Sequence, residues 1–129
     1  MVDTSALVAV LRRESAARAV VAHLAANPPV VVGAPTLVEC SLVIDGRTGS
    51  GATAALTRLL YELEAEVAAF SREHALCAQT AFRRYGKGRH PAALNFGDCL
   101  TYAVARLAQQ PLVCLGEDFR QTDLVTIRP

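Results

Sequence analysis

Four carboxylates stand at comparable places along the chain: Asp3, Glu39, Asp98 and Asp118, the last with Glu117 beside it. Asp3 closes the short apolar opening "MVD", and Glu39 lies one turn into the helical pattern that follows "VVV" at 30–32. Asp98 sits in the first turn of "NFGDCLTYAVARLA", and Asp118 follows the apolar run "PLVCL". Each falls where a strand finishes or the next helix begins. In a parallel sheet covered on both faces, ligands bind beyond the carboxyl ends of the strands, so all four acids could converge on one edge. Carboxylates held close repel, and at neutral pH they cannot all stay ionised without a compensating cation. A hard divalent ion bound by oxygen answers that, and Mg²⁺ or Mn²⁺ suits the donor set better than zinc. Such an ion can lower the pKa of a bound water and neutralise a phosphate during in-line displacement. Thr4 and Ser5, next to Asp3, could orient a carboxylate or that water.

Taken singly, each acid has a plainer reading. Asp3 could cap a helix, although Ser5 competes for that role. Asp98 follows Asn95 by three residues, close to a capping box, and a negative charge there suits the helix dipole. Asp118 could cap the turn "GEDFRQTD". Glu39 is harder to explain away. Its neighbours one turn on, Leu42 and Val43, are apolar and place it on a buried stripe, where a lone carboxylate is costly unless paired or metal-bound. Lys87 is the only lysine in the chain, so partners for such a charge are scarce.

The elements that must position these acids read as alternating short strands and helices. "TSALVAVLRRESAARAVVAHLAA" is a helix that Ser5 can cap, with Leu7, Val8 and Leu11 on one face, and "NPP" breaks it before the strand "VVV". "GAPTLVECSLVIDGRTG" is a helix with Pro35 tolerated in its first turn and Gly46 or Gly49 ending it. "GATAALTRLLYELEA" is a helix, "EVAAF" a strand, and "SREHALCAQTAFRRY" a helix capped by Ser71. After the loop "GKGRHPAA" comes the helix carrying Asp98, where Phe96, Leu100, Val104 and Leu107 recur at helical spacing and predict a buried face. "PLVCLG" and "LVTIRP" read as strands. The pattern predicts an α/β fold, with a short, mostly parallel central sheet between helical layers, as one domain over 1–129.

Composition bounds the function classes. With 129 residues, 52% of them hydrophobic and 19% charged, the chain can build a core and is not of disordered type. The net charge of +1 gives no global field for a polyanion, so any nucleic-acid contact must come from a local basic patch. Cys40, Cys77, Cys99 and Cys114 are widely spaced without a metal-binding pattern and read as thiols in a reducing compartment. No basic stretch precedes an apolar run at the N-terminus, and no apolar run reaches the ~18 residues a membrane span needs. A soluble, cytoplasmic protein without membrane contact is expected.

"VDTSALVAVL", Glu39 within "TLVECSLV", "RYGKGRHPAALNFGDCLTYAVA" and "PLVCLGEDFRQTDL" together resemble the PIN-domain ribonucleases, and within them the VapC toxins of bacterial toxin–antitoxin systems. The resemblance spans essentially the whole chain, and "GKGRHPAALNFGDC" is its most specific part. It implies a PIN-like three-layer α/β/α fold in which Asp3 and Asp98 ligate Mg²⁺ directly. Glu39 matches the acid between them, and the fourth acid is Asp118 or Glu117, with Asp118 preferred because it precedes the Phe that recurs in this motif. It further implies phosphodiester hydrolysis of RNA by metal-activated water, leaving a 5′-phosphate and a 3′-hydroxyl. A cognate VapB-type antitoxin and a homodimer are also implied. The antitoxin would wrap a helical groove and place a basic side chain among the acids.

Arg83, Arg84, Lys87 and Arg89 put four of the 13 basic residues in seven positions, next to Tyr85 and His90. Phosphate contacts with a ring for stacking are what single-stranded RNA needs, so Tyr85, Lys87, Arg89 and His90 are candidate substrate residues, with Asn95 a cap or a substrate contact. For Arg83 and Arg84 the plain alternative is a solvated helix end that complements its dipole. A catalytically silent RNA- or protein-binding module of the same fold is the competing reading, and the complete acid set speaks against it. A haloacid-dehalogenase-type enzyme needs Asp-x-Asp where position 5 is Ser, and a receiver domain needs a late lysine that the chain lacks.

Overall fold

In the computed structural model, residues 1–48 and 51–129 are described. Helices α1 (Thr4–Leu11) and α2 (Ala17–Ala26) precede β1 (Val31–Gly33), α3 (Ala34–Thr48), α4 (Ala52–Glu62) and β2 (Glu66–Ala68). Then follow α5 (Arg72–Tyr85), α6 (Phe96–Ala108), β3 (Leu112–Val113), a 3-10 turn over Asp118–Gln121, and β4 (Thr126–Ile127). β1 pairs with β2 and β3 with β4, both in parallel. Val2 joins the two pairs through parallel bridges to Val32 on one side and Val113 on the other. The N-terminal segment is thus the middle of the sheet, which delivers Asp3 to the carboxyl end of its central position.

The two layers of core follow from strand alternation, since successive side chains point to opposite faces. Val30, Val32, Val2 and Val113 point to a cluster with Leu7, Val20, Leu24, Cys40, Ile44 and Leu56 from α1–α4. Met1, Val31, Leu112 and Cys114 point the other way, onto Ala78, Ala81, Tyr85, Tyr102 and Val104 of α5 and α6. The expected α/β architecture, with helices on both faces of a short parallel sheet, is what the chain adopts. Leu7 is fully buried in α1 at the centre of the first cluster. Leu7→Ala is expected to cost about 3 kcal/mol, read as a lower urea midpoint with unchanged m-value.

Several boundaries differ from the sequence reading, each for a local reason. The first long helix is two, because Arg13 takes a left-handed φ of 55° and turns the chain between α1 and α2. Asp3, not Ser5, is the N-cap of α1, and its carboxylate accepts from the Ser5 amide. Gly46 lies within α3, which runs on to Thr48, and Gly49 lies outside the described residues. The strands "EVAAF", "PLVCLG" and "LVTIRP" shrink to three, two and two paired residues. Ser71 caps α5 as expected, with Asn95 and Asp98 forming a reciprocal capping box at α6. The expected buried face of α6 holds at Val104, which is buried, and in part at Leu100, but not at its two ends. Phe96 is 79% exposed and Leu107 47%, while Cys99 and Thr101–Ala105 are buried, because α6 packs between α5 and α3 and buries small residues on two sides.

Candidate active site

Asp3 is buried at the carboxyl end of the central strand position. Its Oδ2 accepts from the Ser5 amide at 2.9 Å and from Ser5 Oγ at 2.5 Å, and Ser5 Oγ in turn accepts from the Leu115 amide at 3.0 Å. Ser5 therefore ties the first acid to the chain just beyond β3. Burial pushes the Asp3 carboxyl above the usual range, against the Ser5 hydrogen bonds, and the Glu39 charge adds to the rise.

Glu39 departs from the buried-stripe reading. The stripe of α3 that faces the core is Thr36, Cys40 and Ile44, four residues apart, whereas Leu42 is 68% exposed and Glu39 half-buried at the edge. Its Oε2 accepts from Thr4 Oγ1 at 2.5 Å, so α1 orients the acid of α3. The carboxylate also lies against the first turn of α6. A Cβ built on Gly97 would stand 2.7 Å from Glu39 Cδ, too close to coexist with the carboxylate where it is. On the same side of α6, Thr101 Oγ1 and Thr36 Oγ1 lie 3.1 Å apart in a buried hydrogen bond, which fixes α6 to α3.

Asp98 occupies the N3 position of α6. Its Oδ2 accepts from the Asn95 amide at 2.8 Å while Asn95 Oδ1 accepts from the Asp98 amide at 3.0 Å. The candidate site acid is thus also a capping acid, held by the helix start. Burial pushes the Asp98 carboxyl up to about 6; the Asn95 amide opposes this, and the charges of Asp3, Asp118 and Glu39 reinforce it. Asp98 thus feels all three other acids. Asp118 is exposed at the start of the 3-10 turn. Its neighbour Glu117 is committed elsewhere, paired with Arg120 at 2.9 Å and Arg128 at 2.6 Å.

Among the described residues, no three His, Cys, Asp or Glu side chains draw together tightly enough to enclose an ion. The Asp3, Glu39 and Asp98 carboxylates are each tethered to a hydroxyl or an amide of the chain. The donors nonetheless fit a hard divalent cation, being all oxygen with thiolates excluded: burial drives the Cys40 thiol up to about 12. None of Asp3, Glu39, Asp98 and Asp118 has an ion pair among the described residues, although Glu117 and Asp123 do. Among the described residues, no salt bridge offsets the negative charge at this edge.

The candidate substrate residues separate. Lys87 and Arg89 are exposed, and the Arg89 guanidinium lies 5.3 Å from the centre of the Phe82 ring. Tyr85 is 4% exposed, packed edge-on to His90 at 5.2 Å and against Tyr102, so it offers no ring face to RNA. His90 Nδ1 accepts from the Ala92 amide and shapes the loop. Arg84 stacks on Tyr85 and pairs with Asp123, which also accepts from Tyr102 Oη at 2.7 Å. Sequence reasoning missed Asp123, which carries no motif. It also missed Gly97, for which the signal was present: a poor helix former in the first turn of a helix, beside an acid.

Comparison with known proteins bears on the same edge. The sequence matches the PIN domain family over residues 1–125. It is 51% identical over 125 residues to Ribonuclease VapC36 of Mycobacterium tuberculosis, covering 96% of this chain and 90% of that protein. It is 39% identical over 127 residues to Ribonuclease VapC of Mycolicibacterium smegmatis, covering 98% of each. The fold superposes with a TM-score of 0.80 on the crystal structure of Mycobacterium tuberculosis VapC20, a sarcin-ricin loop cleaving toxin, at 21% identity over 99% of this chain and 98% of that one. With the parallel sheet and the four acids at its edge, these matches show that the chain belongs to the PIN-domain family, among the VapC ribonuclease toxins.

Proposed function

We propose that the chain is a Mg²⁺-dependent endoribonuclease, the toxin of a toxin–antitoxin pair, with Mn²⁺ able to replace Mg²⁺. The observation that carries this reading is that Asp98 feels the charges of Asp3, Glu39 and Asp118 at the carboxyl edge of the sheet, with none of the four ion-paired among the described residues. Asp3 and Asp98 would hold the ion, with Glu39 and Asp118 contributing directly or through water. A bound ion supplies an activated water and neutralises charge on the phosphate. The protein's part is orientation. Thr4 aims Glu39, Ser5 aims Asp3, and the Asn95 cap aims Asp98. Glu117 pairs with Arg120 and Arg128, which supports Asp118 as the fourth acid. A VapB-type antitoxin that brings a basic side chain to this edge would neutralise the same charge and displace the ion. The protein is proposed to work in the cytoplasm as a homodimer.

Incubation of the purified chain with total RNA is expected to give fragments bearing 5′-phosphates when Mg²⁺ is present. EDTA should stop cleavage and added Mg²⁺ restore it. Cleavage that persists unchanged in EDTA would overturn the metal reading while leaving the family assignment intact.

A further inference from the structure

Helix α6 separates two surfaces. Gly97 and Thr101, four residues apart, face α3, where they meet Glu39 and Thr36. Phe96, Cys99 and Leu100, at spacings of three and four, face α5 instead and line a groove of about 680 Å³. Small residues of α5, among them Ala78, leave that groove open, and Phe82, Arg83 and Arg89 border it with Gln79. Two features of this groove are unexplained by packing. Phe96 is the most exposed phenylalanine, at 79%, yet it stands two residues before Asp98. Among the described residues the lining holds two arginines and no acid, although Asp98 on the same helix feels the charges of three other carboxylates.

The geometry points to a nucleotide subsite: the α5–α6 groove takes one unstacked base of the RNA against Phe96 and Phe82, while Arg83 and Arg89 hold the adjoining phosphates. The inference rests on the ribonuclease reading and adds to it the place where the strand leaves the acids. Charge selects the occupant. An apolar floor alone would suit any hydrophobic partner, but paired guanidinium groups without a carboxylate favour a ligand that is both flat and anionic. Arg89 is already stacked on Phe82, so the ring and the charge form one platform. The separation between the two surfaces is the width of one helix, about 10 Å, which a strand crosses within a nucleotide or two. The subsite also supplies the exposed rings that Tyr85, being buried, does not.

The test measures binding of three labelled probes to the full chain carrying Asp98→Asn, in Mg²⁺: a twelve-nucleotide oligoadenylate, the matching oligouridylate, and a twelve-unit abasic ribose-phosphate strand. Adding Phe96→Ala should weaken oligoadenylate binding about tenfold and oligouridylate binding less, with the abasic strand unaffected. Arg83→Gln with Arg89→Gln should weaken all three and flatten the salt dependence. Because Phe96 is exposed, circular dichroism should show the fold unchanged. Equal weakening of the abasic strand, or no weakening of oligoadenylate, overturns the subsite. If Phe96→Ala turns a dimer into a monomer with oligonucleotide affinity unchanged, the groove belongs to a second copy and the proposal fails. Failure to bind any probe overturns the subsite, whereas the ribonuclease reading stands or falls separately on Mg²⁺-dependent cleavage of total RNA by the native chain.

Discussion

Asp98→Asn is expected to lower RNA cleavage on the order of a thousandfold and, in EDTA at neutral pH, to raise the melting temperature. The two effects share one cause. Asp98 is held half-buried among three other carboxylates, so its charge is available to a cation and costly without one. Asparagine keeps an oxygen able to accept from the Asn95 amide, so the start of α6 survives the change. The pH dependence follows from the same displacement. A carboxyl raised from 3.8 to about 6 on folding favours the folded state fully below about pH 4, and that contribution is lost as pH rises through about 6. In EDTA the melting temperature of the native chain should therefore fall relative to Asp98→Asn between those values. Asp3, raised as well, should leave part of the fall in the variant. Mg²⁺ should raise the melting temperature of the native chain above pH 6 and do little for the variant. Thermal scans across pH 4 to 8 with EDTA or Mg²⁺ decide the matter. Equal melting curves for the two proteins at all pH values, with cleavage retained, would sink the site.

How much of this was legible before the fold depends on whether the signal was local. The capping of α5 by Ser71 is written in the residue type alone and that of α6 in Asn95 and Asp98, three apart, and both were readable. Asp3 and Asp98 were readable as acids at element boundaries, since a strand end and a helix start leave marks in sequence. Glu39 does lie where its charge acts on Asp3 and Asp98, but not on the buried stripe the sequence suggested. Leu42 and Val43 look like a stripe, yet α3 turns its Thr36–Cys40–Ile44 face inward, because that face meets α1 and α6. Phe96 and Leu107 misled in the same way: hydrophobic spacing marks a helix but cannot say which of several apolar faces a neighbour will cover. The sheet was hardest. Its central member reduces to bridges made by Val2, and pairings two or three residues long carry no period to detect.

Gly97→Ala separates what helix stability asks for from what the site requires. Alanine is the better helix former by about 1 kcal/mol, so on propensity alone the change should strengthen the first turn of α6. The added methyl group, however, falls where the Glu39 carboxylate lies, 2.7 Å from Cδ. A flexible side chain gives way before a helix does, so Glu39 swings out and its hydrogen bond from Thr4 Oγ1 is lost. The expected result is a melting temperature equal to or above that of the native chain, with cleavage down about a hundredfold, the loss that goes with a site group misplaced by about 1 Å. Glu39→Ala should cost a similar factor. Combining the two should cost no more than Glu39→Ala alone, because the methyl group then has no carboxylate to displace. Cleavage rates for the four proteins at saturating Mg²⁺ give the coupling directly. Additive losses would mean that Gly97 serves the site by some route other than Glu39, and native activity in Gly97→Ala would mean that the contact between α3 and α6 does not position the acid at all.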